Sequence, residues 1–300
     1  MSTSLSSLSG VGSHFLLGVE ALLTTHAAGV DFISAFLFGS RVGTNFLTHS
    51  TIRQEYFREW TRLRNMPQAK DKPITEALFL QKCHEALRRV TFQGTHSLVI
   101  DRMHTGLSTQ AEELGLSNEE VLTRCASEML DHVIATQETQ TITWTYVLYR
   151  LSQHLHLQQH LRAEIRSLWP TDDLANDERT LPRPSDIERL PLLHAVVYET
   201  LRLHAANPAR MRRVVPQEGL NLHGFDIPAG TVVSTNAYCL HRNPEVFPEP
   251  LEWKPKRWLP GAEGLELKYK WFWAFGSGPR GCIGRHFAVQ GSSFLRFECL

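Results

Sequence analysis

One cysteine lies in a loop crowded with glycine, and its neighbours suit a thiolate that binds a metal. Residues 275–284 read Phe-Gly-Ser-Gly-Pro-Arg-Gly-Cys-Ile-Gly, and a helical pattern begins just after Cys282. Glycine permits positive φ and a close approach of the backbone to a flat ligand, and N–H groups turned toward the sulfur would stabilise its negative charge. An anionic sulfur is a good ligand for iron. The alternative is a buried structural cysteine beside a tight turn.

The spacing Phe-x-x-Gly-x-Arg-x-Cys-x-Gly resembles the haem-binding signature of the cytochrome P-450 family of haem-thiolate monooxygenases. The matching residues are Phe275, Gly278, Arg280, Cys282 and Gly284. The resemblance implies that Cys282 binds the haem iron. The Arg280 guanidinium can donate charge-assisted hydrogen bonds to a haem propionate. The ring of Phe275 would keep water away from the sulfur.

A second set of residues joins a helix to a later irregular segment. Glu199 and Arg202 are spaced i, i+3, which places a carboxylate and a guanidinium on one helix face. Such a pair contributes 0 to about 1 kcal/mol when exposed, so the spacing alone has little meaning. The resemblance adds a third member, the arginine of Pro255-Lys-Arg257-Trp, and two arginines can share one carboxylate. We interpret this network as structural support for the haem pocket rather than as chemistry.

The acid and alcohol of Ala135-Thr-Gln-Glu138-Thr139 lie within a long and otherwise apolar helical pattern. The segment is similar to the Ala-Gly-x-Glu-Thr of the family, whose acid and alcohol relay protons during oxygen activation; Glu138 and Thr139 match that pair. Threonine can also bond a helix carbonyl one turn back, which loosens the helix locally. Thr136 stands where the family has glycine, and Gln140 where a second threonine is common. The alternative is two ordinary polar residues on a helix.

Other basic side chains have ordinary explanations, with one exception. Arg210, Arg212 and Arg213 would usually form a surface patch. The resemblance implies that the strand after the Glu-x-x-Arg helix carries a propionate-binding arginine, and Arg213 matches that position best, with Arg212 close behind. His156 and His160 have the i, i+4 spacing of a metal pair, yet no Glu or Cys completes a site nearby, which favours a solvated helix face over a metal site.

Apolar spacing predicts several helices before the sites described above. In the first hundred residues it predicts helices over about residues 14–38, 52–63 and 74–90, with a polar linker at 67–73. Ser117 and Glu120 form a Ser-x-x-Glu capping box, which opens a helix that runs past Arg150. A further helix is expected to end near Leu168.

The second half of the chain changes character. A proline-rich link at 182–184 leads to a second capping box at Ser185 and Glu188, and then to a helix from about Pro191 to His204. Alternating residues near 220–222 and a β-rich stretch at 231–235 predict a small hairpin. Repeated prolines between 244 and 260 predict an irregular meander.

Composition excludes some partners. Lys plus Arg and Asp plus Glu are both 31 in a chain of 300 residues, so no net charge favours nucleic acid or an anionic membrane. The five cysteines are odd in number and scattered, which argues against a disulfide framework and fits a reducing compartment. The N-terminal residues contain neither a signal peptide nor an uninterrupted apolar span.

These features predict a mainly α chain with a small β hairpin region, arranged as a partial cytochrome P-450 fold. We expect one partial domain over residues 1–300, in which 1–116 form a helical N-terminal part and 117–300 the haem-binding core. The resemblance covers about the last three-fifths of a typical family member. The residues Gly-Ser-Ser at 291–293 and the ending Phe-Glu-Cys-Leu depart from the family pattern, so the sequence also predicts a truncated or mis-spliced product.

The resemblance implies a haem enzyme that inserts one oxygen atom from O2 into a small apolar organic substrate. Electrons would come from a separate NADPH-dependent flavoprotein reductase, because no Gly-x-Gly-x-x-Gly motif follows a strand here. Intact relatives are anchored to the cytosolic face of the endoplasmic reticulum membrane; the sequence shows no anchor, which leaves a cytoplasmic location open. The sequence around Glu199 and Cys282 is most similar to filamentous-fungal members, which often act in secondary metabolism. Two alternatives are a truncated, inactive fragment unable to retain haem and a helical interaction module.

Overall fold

Helices make up most of the computed structural model, which describes residues 23–65, 74–93, 98–168 and 182–293. The helices are α1 (residues 23–38), α2 (Ser50–Asn65), α3 (Ile74–Gln93), α4 (Leu98–Gln110), α5 (Asn118–Gln153), α6 (Leu155–Arg166), α7 (Pro184–Ile187), α8 (Pro191–Leu203), α9 (Ala237–Leu240), α10 (Leu265–Trp271) and α11 (Arg285–Ser293). The strands are β1 (Met211–Val214), β2 (Leu220–Leu222), β3 (Phe225–Ile227) and β4 (Val232–Thr235). The predicted fold class, mainly α with a small β region, is confirmed.

Most predicted helices agree with the observed ones to within a few residues. The start of the first helix near residue 14 and the linker at 67–73 lie outside the described residues. The capping box predicted at Ser185 and Glu188 is wrong, because α7 begins at Pro184 and already contains Ser185. Proline is pre-organised for the first helical position, and the amides of Asp186 and Ile187 donate to the carbonyl of Arg183. Helix α4 was not predicted individually.

Helix α5 is the longest element and begins as the sequence predicts. The backbone N–H of Ser117 donates to Glu120 Oε2 at 2.8 Å, and the N–H of Glu120 donates to Ser117 Oγ at 3.3 Å. Its 36 residues give a length of roughly 54 Å at 1.5 Å per residue. The chain divides into two compact units, Met1–Thr141 and Ile142–Leu300, and the division falls inside this helix. The predicted division at residues 116 and 117 therefore stays a prediction.

In the first unit, aromatic side chains from several elements form the core. The ring of Tyr56 in α2 lies 4.9 Å from that of Phe46 and 6.3 Å from that of Phe79 in α3, centroid to centroid. The Asp31 carboxylate of α1 accepts hydrogen bonds from the backbone N–H groups of Phe46 and Leu47. These bonds fix the loop between α1 and α2 against the core.

In the second unit, α8 lies at the centre of the core. Every residue from Ala195 to Leu203 is buried, and α8 packs against α6, α11 and a 3-10 turn at Pro255–Trp258. The predicted pairing of residues 220–222 with 231–235 is wrong. Strands β2 and β3 form a hairpin instead, with Leu222 opposite Phe225, because His223 and Gly224, both at positive φ, close a tight turn directly after β2. The stretch at 231–235 pairs with β1, placing Arg213 opposite Val233. The hairpin is therefore inserted between the two strands of a second antiparallel pair.

Candidate functional site

The Cys282 loop is closed by backbone hydrogen bonds just before α11. The N–H of Cys282 donates to the carbonyl of Phe275 at 2.8 Å, and the N–H of Gly281 donates to Gly278 at 2.9 Å. The Cys282 thiol is free and exposed. The alternative of a buried structural cysteine is therefore wrong. The loop therefore holds an accessible sulfur just before the first turn of α11.

Three glycines in this loop are required by its geometry. Gly276 and Gly278 have φ +69° and +70°, a backbone conformation that other residues rarely adopt. A Cβ at Gly281 would lie 3.1 Å from the carbonyl oxygen of Gly278, so even alanine would force the loop to shift. A Cβ at Gly284 would lie 3.8 Å from Cys282 Sγ, in ordinary contact with the sulfur. Glycine at 284 therefore keeps the space beside the thiol open.

The remaining predicted haem contacts border the same loop. Phe275 is half-buried and packs against the core of the second unit, and the Arg285 guanidinium lies 5.9 Å from its ring centroid. Arg280 and Arg213 are both exposed. Arg213 shares a face of the β1–β4 pair with Met211, because side chains alternate along a strand. The Met211 sulfur lies 3.4 Å from the position of a Cβ at Gly276, so this sheet face adjoins the loop.

These residues fit a haem group. An accessible thiol supplies an iron ligand, glycine leaves room for a flat macrocycle, and two exposed arginines on the neighbouring elements can bind its two carboxylates. Arg213 Nη1 donates within its own strand to the carbonyl of Arg212 at 2.8 Å, and this leaves its other guanidinium nitrogens for an anion.

The Glu199 carboxylate accepts five hydrogen bonds. Arg202 donates to both oxygens, at 2.8 and 2.9 Å. Arg257 Nε donates at 3.3 Å. The remaining donors are the backbone N–H of Lys254 and the indole of Trp258, at 2.8 and 2.9 Å. Glu199 and Arg202 are both fully buried, and five donors compensate the lost hydration of the carboxylate.

Arg202 extends this network to the backbone of the meander. Its guanidinium donates to the carbonyls of His241, Pro250 and Glu252 at 2.8 to 3.0 Å. These three hydrogen bonds hold the meander in place, a segment with little regular secondary structure of its own. The structure thus brings Glu199, Arg202 and Arg257 together as a buried support, which sequence spacing alone could not distinguish from a surface pair.

His241 connects this support to the cysteine loop, and the sequence analysis missed it. Its Nδ1 bonds the carbonyl of Arg202 at 2.8 Å, and its Nε2 accepts from the backbone N–H of Trp273 at 2.8 Å. A nitrogen that accepts must be unprotonated, so His241 is neutral with the proton on Nδ1. Burial, the largest cause, lowers the pKa of His241 to about 4. The only signal in the sequence was a histidine two residues before the Asn243-Pro244 turn.

We expect stability to depend on pH through His241. The imidazole of His241 becomes protonated below about pH 6.5 in the unfolded chain but only near pH 4 in the folded chain. The free energy of unfolding should therefore be constant with respect to this group above pH 6.5 and should decrease as the pH is lowered from 6.5 to 4. The slope from this group is about 1.4 kcal/mol per pH unit. His241→Asn should remove that part of the slope, measured by urea unfolding at pH 5 and pH 7. A variant with the wild-type slope would contradict the assignment.

In the first unit, α5 turns Glu138 and Thr139 in different directions. The indole N–H of Trp60 in α2 donates to Glu138 Oε1 at 3.0 Å, and Glu138 is half-buried. Thr139 is exposed on the same face as Ala135, whose carbonyl accepts its hydroxyl at 2.8 Å. The predicted bond from threonine to the carbonyl one turn back is present.

A buried polar pair lies next to them. The Tyr56 hydroxyl donates to Gln137 Oε1 at 2.7 Å, and Gln137 is fully buried. Burial, with the charge of Glu138 second, raises the pKa of Tyr56 well above its ordinary range, so the hydroxyl stays a donor. Within the described part of the chain, Gln137 Nε2 has no partner, so this amide depends on Tyr56.

Tyr56→Phe is expected to lower the free energy of unfolding by about 1–3 kcal/mol, because it strands the buried Gln137 amide. Urea unfolding would measure the loss. The double variant Tyr56→Phe/Gln137→Leu should regain most of it, because no buried polar group is then left without a partner. Equal stability of Tyr56→Phe and wild type would show that this bond carries no net stabilisation.

Comparison with known proteins agrees with this geometry. The sequence profile of the cytochrome P-450 family matches residues 30–295, which is most of the chain. The chain belongs to this family. A cytochrome P-450 monooxygenase, avaI of Aspergillus versicolor, is 33% identical over 290 residues. Another, asqL of Emericella nidulans, is 35% identical over 153 residues, and cytochrome P-450 3A28 of Bos taurus is 34% identical over 153 residues.

The chain is shorter than these cytochrome P-450 relatives. The match to the A. versicolor protein covers 90% of this chain and 66% of the relative. The matches to the E. nidulans and B. taurus proteins cover 51% of this chain in each case, and 30% and 28% of the relatives. The family implies a haem cofactor with a cysteine thiolate, a redox partner and an organic substrate.

Proposed function

We propose that this cytochrome P-450 chain acts as a haem-thiolate monooxygenase, in which the Cys282 sulfur would bind the haem iron. The observation that carries the proposal is the free, exposed thiol held by the loop before α11. A bound haem would supply oxygen activation, because thiolate donation favours O–O cleavage. The reaction inserts one oxygen atom into an apolar organic molecule and reduces the other to water.

The proposed roles of the surrounding residues follow from their positions. Arg280 and Arg213 bind the propionates through charge-assisted hydrogen bonds, and the half-buried ring of Phe275 excludes water from the sulfur. Gly278 and Gly284 let the backbone approach the macrocycle closely. Glu199, Arg202 and Arg257 position the meander and, through His241, the segment that leads into the loop.

Glu138 and Thr139 are proposed to supply protons. The Thr139 hydroxyl is exposed and can pass a proton from solvent, while the Trp60 indole holds the Glu138 carboxylate through Oε1.

The substrate and partners are proposed from the family. Many related proteins are fungal monooxygenases, so we infer a small apolar substrate and a role in secondary metabolism. Electrons would come from an NADPH-dependent flavoprotein reductase on the cytosolic face of the endoplasmic reticulum, since members of the family are often bound there. Among the described residues, no helix combines the length and the apolar character needed to cross a membrane.

Reconstitution with haem tests the proposal. The purified chain is titrated with haemin, reduced and exposed to carbon monoxide. One haem per chain and a red-shifted thiolate band are expected. Absence of haem uptake would refute the proposed activity. The chain would then be the inactive fragment or the interaction module considered above.

Thr139→Ala is expected to keep the thiolate band but to divert electrons into peroxide, raising peroxide formed per NADPH at least tenfold, since a relay step typically contributes 10²–10⁴-fold. Thr139→Ser keeps the hydroxyl and should behave as wild type. Thr123→Ala is a matched control, because Thr123 in the same helix also donates to the carbonyl four residues earlier, at 2.9 Å. An unchanged coupling ratio in Thr139→Ala would exclude the relay role.

A further inference from the structure

The outward face of α6 carries two histidines one turn apart. His156 and His160 are both exposed, and their ring centroids lie 4.3 Å apart with an interplanar angle of 66°. The opposite face of the helix is anchored in the core by Leu161 and Ile165, which are 0% and 6% exposed. The two imidazoles are therefore presented together on a helix that packing holds in place.

The separation of the rings suits one shared metal ion. With a metal–nitrogen bond of about 2.1 Å, each ring centroid would lie about 3.2 Å from the ion. Two such rings at a right angle about the ion have centroids about 4.5 Å apart, and at a tetrahedral angle about 5.2 Å apart. The observed 4.3 Å is closer to the right angle, which is the preference of tetragonal Cu2+ and Ni2+.

The neighbouring side chains leave the other coordination positions to water. Glu164 lies one turn beyond His160, but its carboxylate already accepts from the backbone N–H groups of Leu192 and Leu193 at 2.8 and 2.9 Å. It supplies negative charge near the pair without serving as a ligand. Within the described ranges, no group of three or more His, Cys, Asp or Glu could hold a metal ion. Any ion here would be bound by two histidines and solvent.

We propose that His156 and His160 form a surface site for a divalent transition metal ion, separate from the haem site. Neutral imidazole is the commonest protein ligand for these ions. Cu2+ should bind more tightly than either Ni2+ or Zn2+, because both the Irving–Williams order and the ring geometry favour copper. The sequence spacing alone favoured a solvated face, and the observed ring separation changes that interpretation.

The site is tested on the full chain by calorimetric titration with NiCl2, which does not oxidise the exposed thiols. We expect wild type to bind one ion at least tenfold more tightly than His156→Gln or His160→Gln. The matched control is Gln158→His/His160→Gln, which keeps the number of histidines but moves one to the far side of the helix. It should bind as weakly as the single variants. Binding as tight as wild type in the control or in either single variant would overturn the proposal.

A second measurement counts the coordinating nitrogens directly, without relying on a dissociation constant. Electron paramagnetic resonance of the chain, with its exposed thiols first alkylated and then loaded with one Cu2+, should show hyperfine coupling to two imidazole nitrogens, and His156→Gln treated in the same way should show one. ZnCl2 should bind more weakly than Cu2+ at the site that the variants remove. Coupling that is the same in wild type and His156→Gln, or tighter binding of Zn2+, would contradict the assignment.

Discussion

Cys282→Ser is expected to abolish the red-shifted thiolate band of the reduced, carbon monoxide-bound chain. A serine hydroxyl is not ionised near neutral pH and is a poor ligand for iron, whereas a cysteine sulfur, here free and exposed, is a good one. The loss of band amplitude should be at least tenfold, because no other residue in the loop can supply a thiolate. The measurement is the difference spectrum after reconstitution with equal amounts of haemin.

Cys239→Ser is the matched control for that variant. Cys239 is also free and exposed, and it lies in α9, where its backbone N–H is held by Asn236 Oδ1 at 2.8 Å. Its side chain can therefore change without loss of that bond. We expect the Cys239→Ser band to equal that of wild type. A band that survives in Cys282→Ser would exclude Cys282 as the ligand.

Arg202→Met is expected to lower the free energy of unfolding by about 3–5 kcal/mol, because it leaves the Glu199 carboxylate buried without its closest cation. The same change removes the three bonds from the guanidinium to carbonyls of the meander. A loss of this size is a large part of the total stability of an ordinary domain, which is about 5–15 kcal/mol. Urea unfolding followed by far-UV circular dichroism would measure it.

Arg183→Met separates the effect of burial from that of pairing. Arg183 pairs with Asp186 at 2.9 Å with the same i, i+3 spacing, but its side chain is 80% exposed. An exposed pair contributes only about 0–1 kcal/mol, so this variant should be close to wild type. Similar losses for Arg183→Met and Arg202→Met would mean that burial of the Glu199 network contributes nothing.

Local features of the fold could be predicted from the sequence because they depend on neighbours in the chain. The Ser117–Glu120 box predicts where α5 begins, and the glycine pattern predicts a loop that presents Cys282. The capping box at Ser185 was wrong because a local match cannot show that Pro184 starts the helix earlier. Propensity and spacing thus predict elements well and their exact ends less well.

Contacts between distant residues could not be predicted in the same way. Tyr56 and Gln137 are 81 positions apart, and their hydrogen bond exists only because α2 packs beside α5. The role of His241 depends on two backbone groups, one from Arg202 and one from Trp273. The hydrogen bond from the Trp60 indole to Glu138 likewise joins residues 78 positions apart. Apolar periodicity predicts the buried face of a helix, but it does not identify the distant partners of the polar side chains on that helix.

The order in which the chain leaves the ribosome gives the Glu199 network a further consequence. Three of the groups that satisfy this carboxylate come from residues 55, 58 and 59 positions later. Until that stretch has been synthesised, the two charges of α8 can be satisfied only by each other and by water, so burial of the helix is unfavourable. A nascent chain that ends before Trp258 therefore keeps this otherwise apolar helix hydrated. The buried charges of α8 thus delay its packing until the meander that satisfies them has been synthesised.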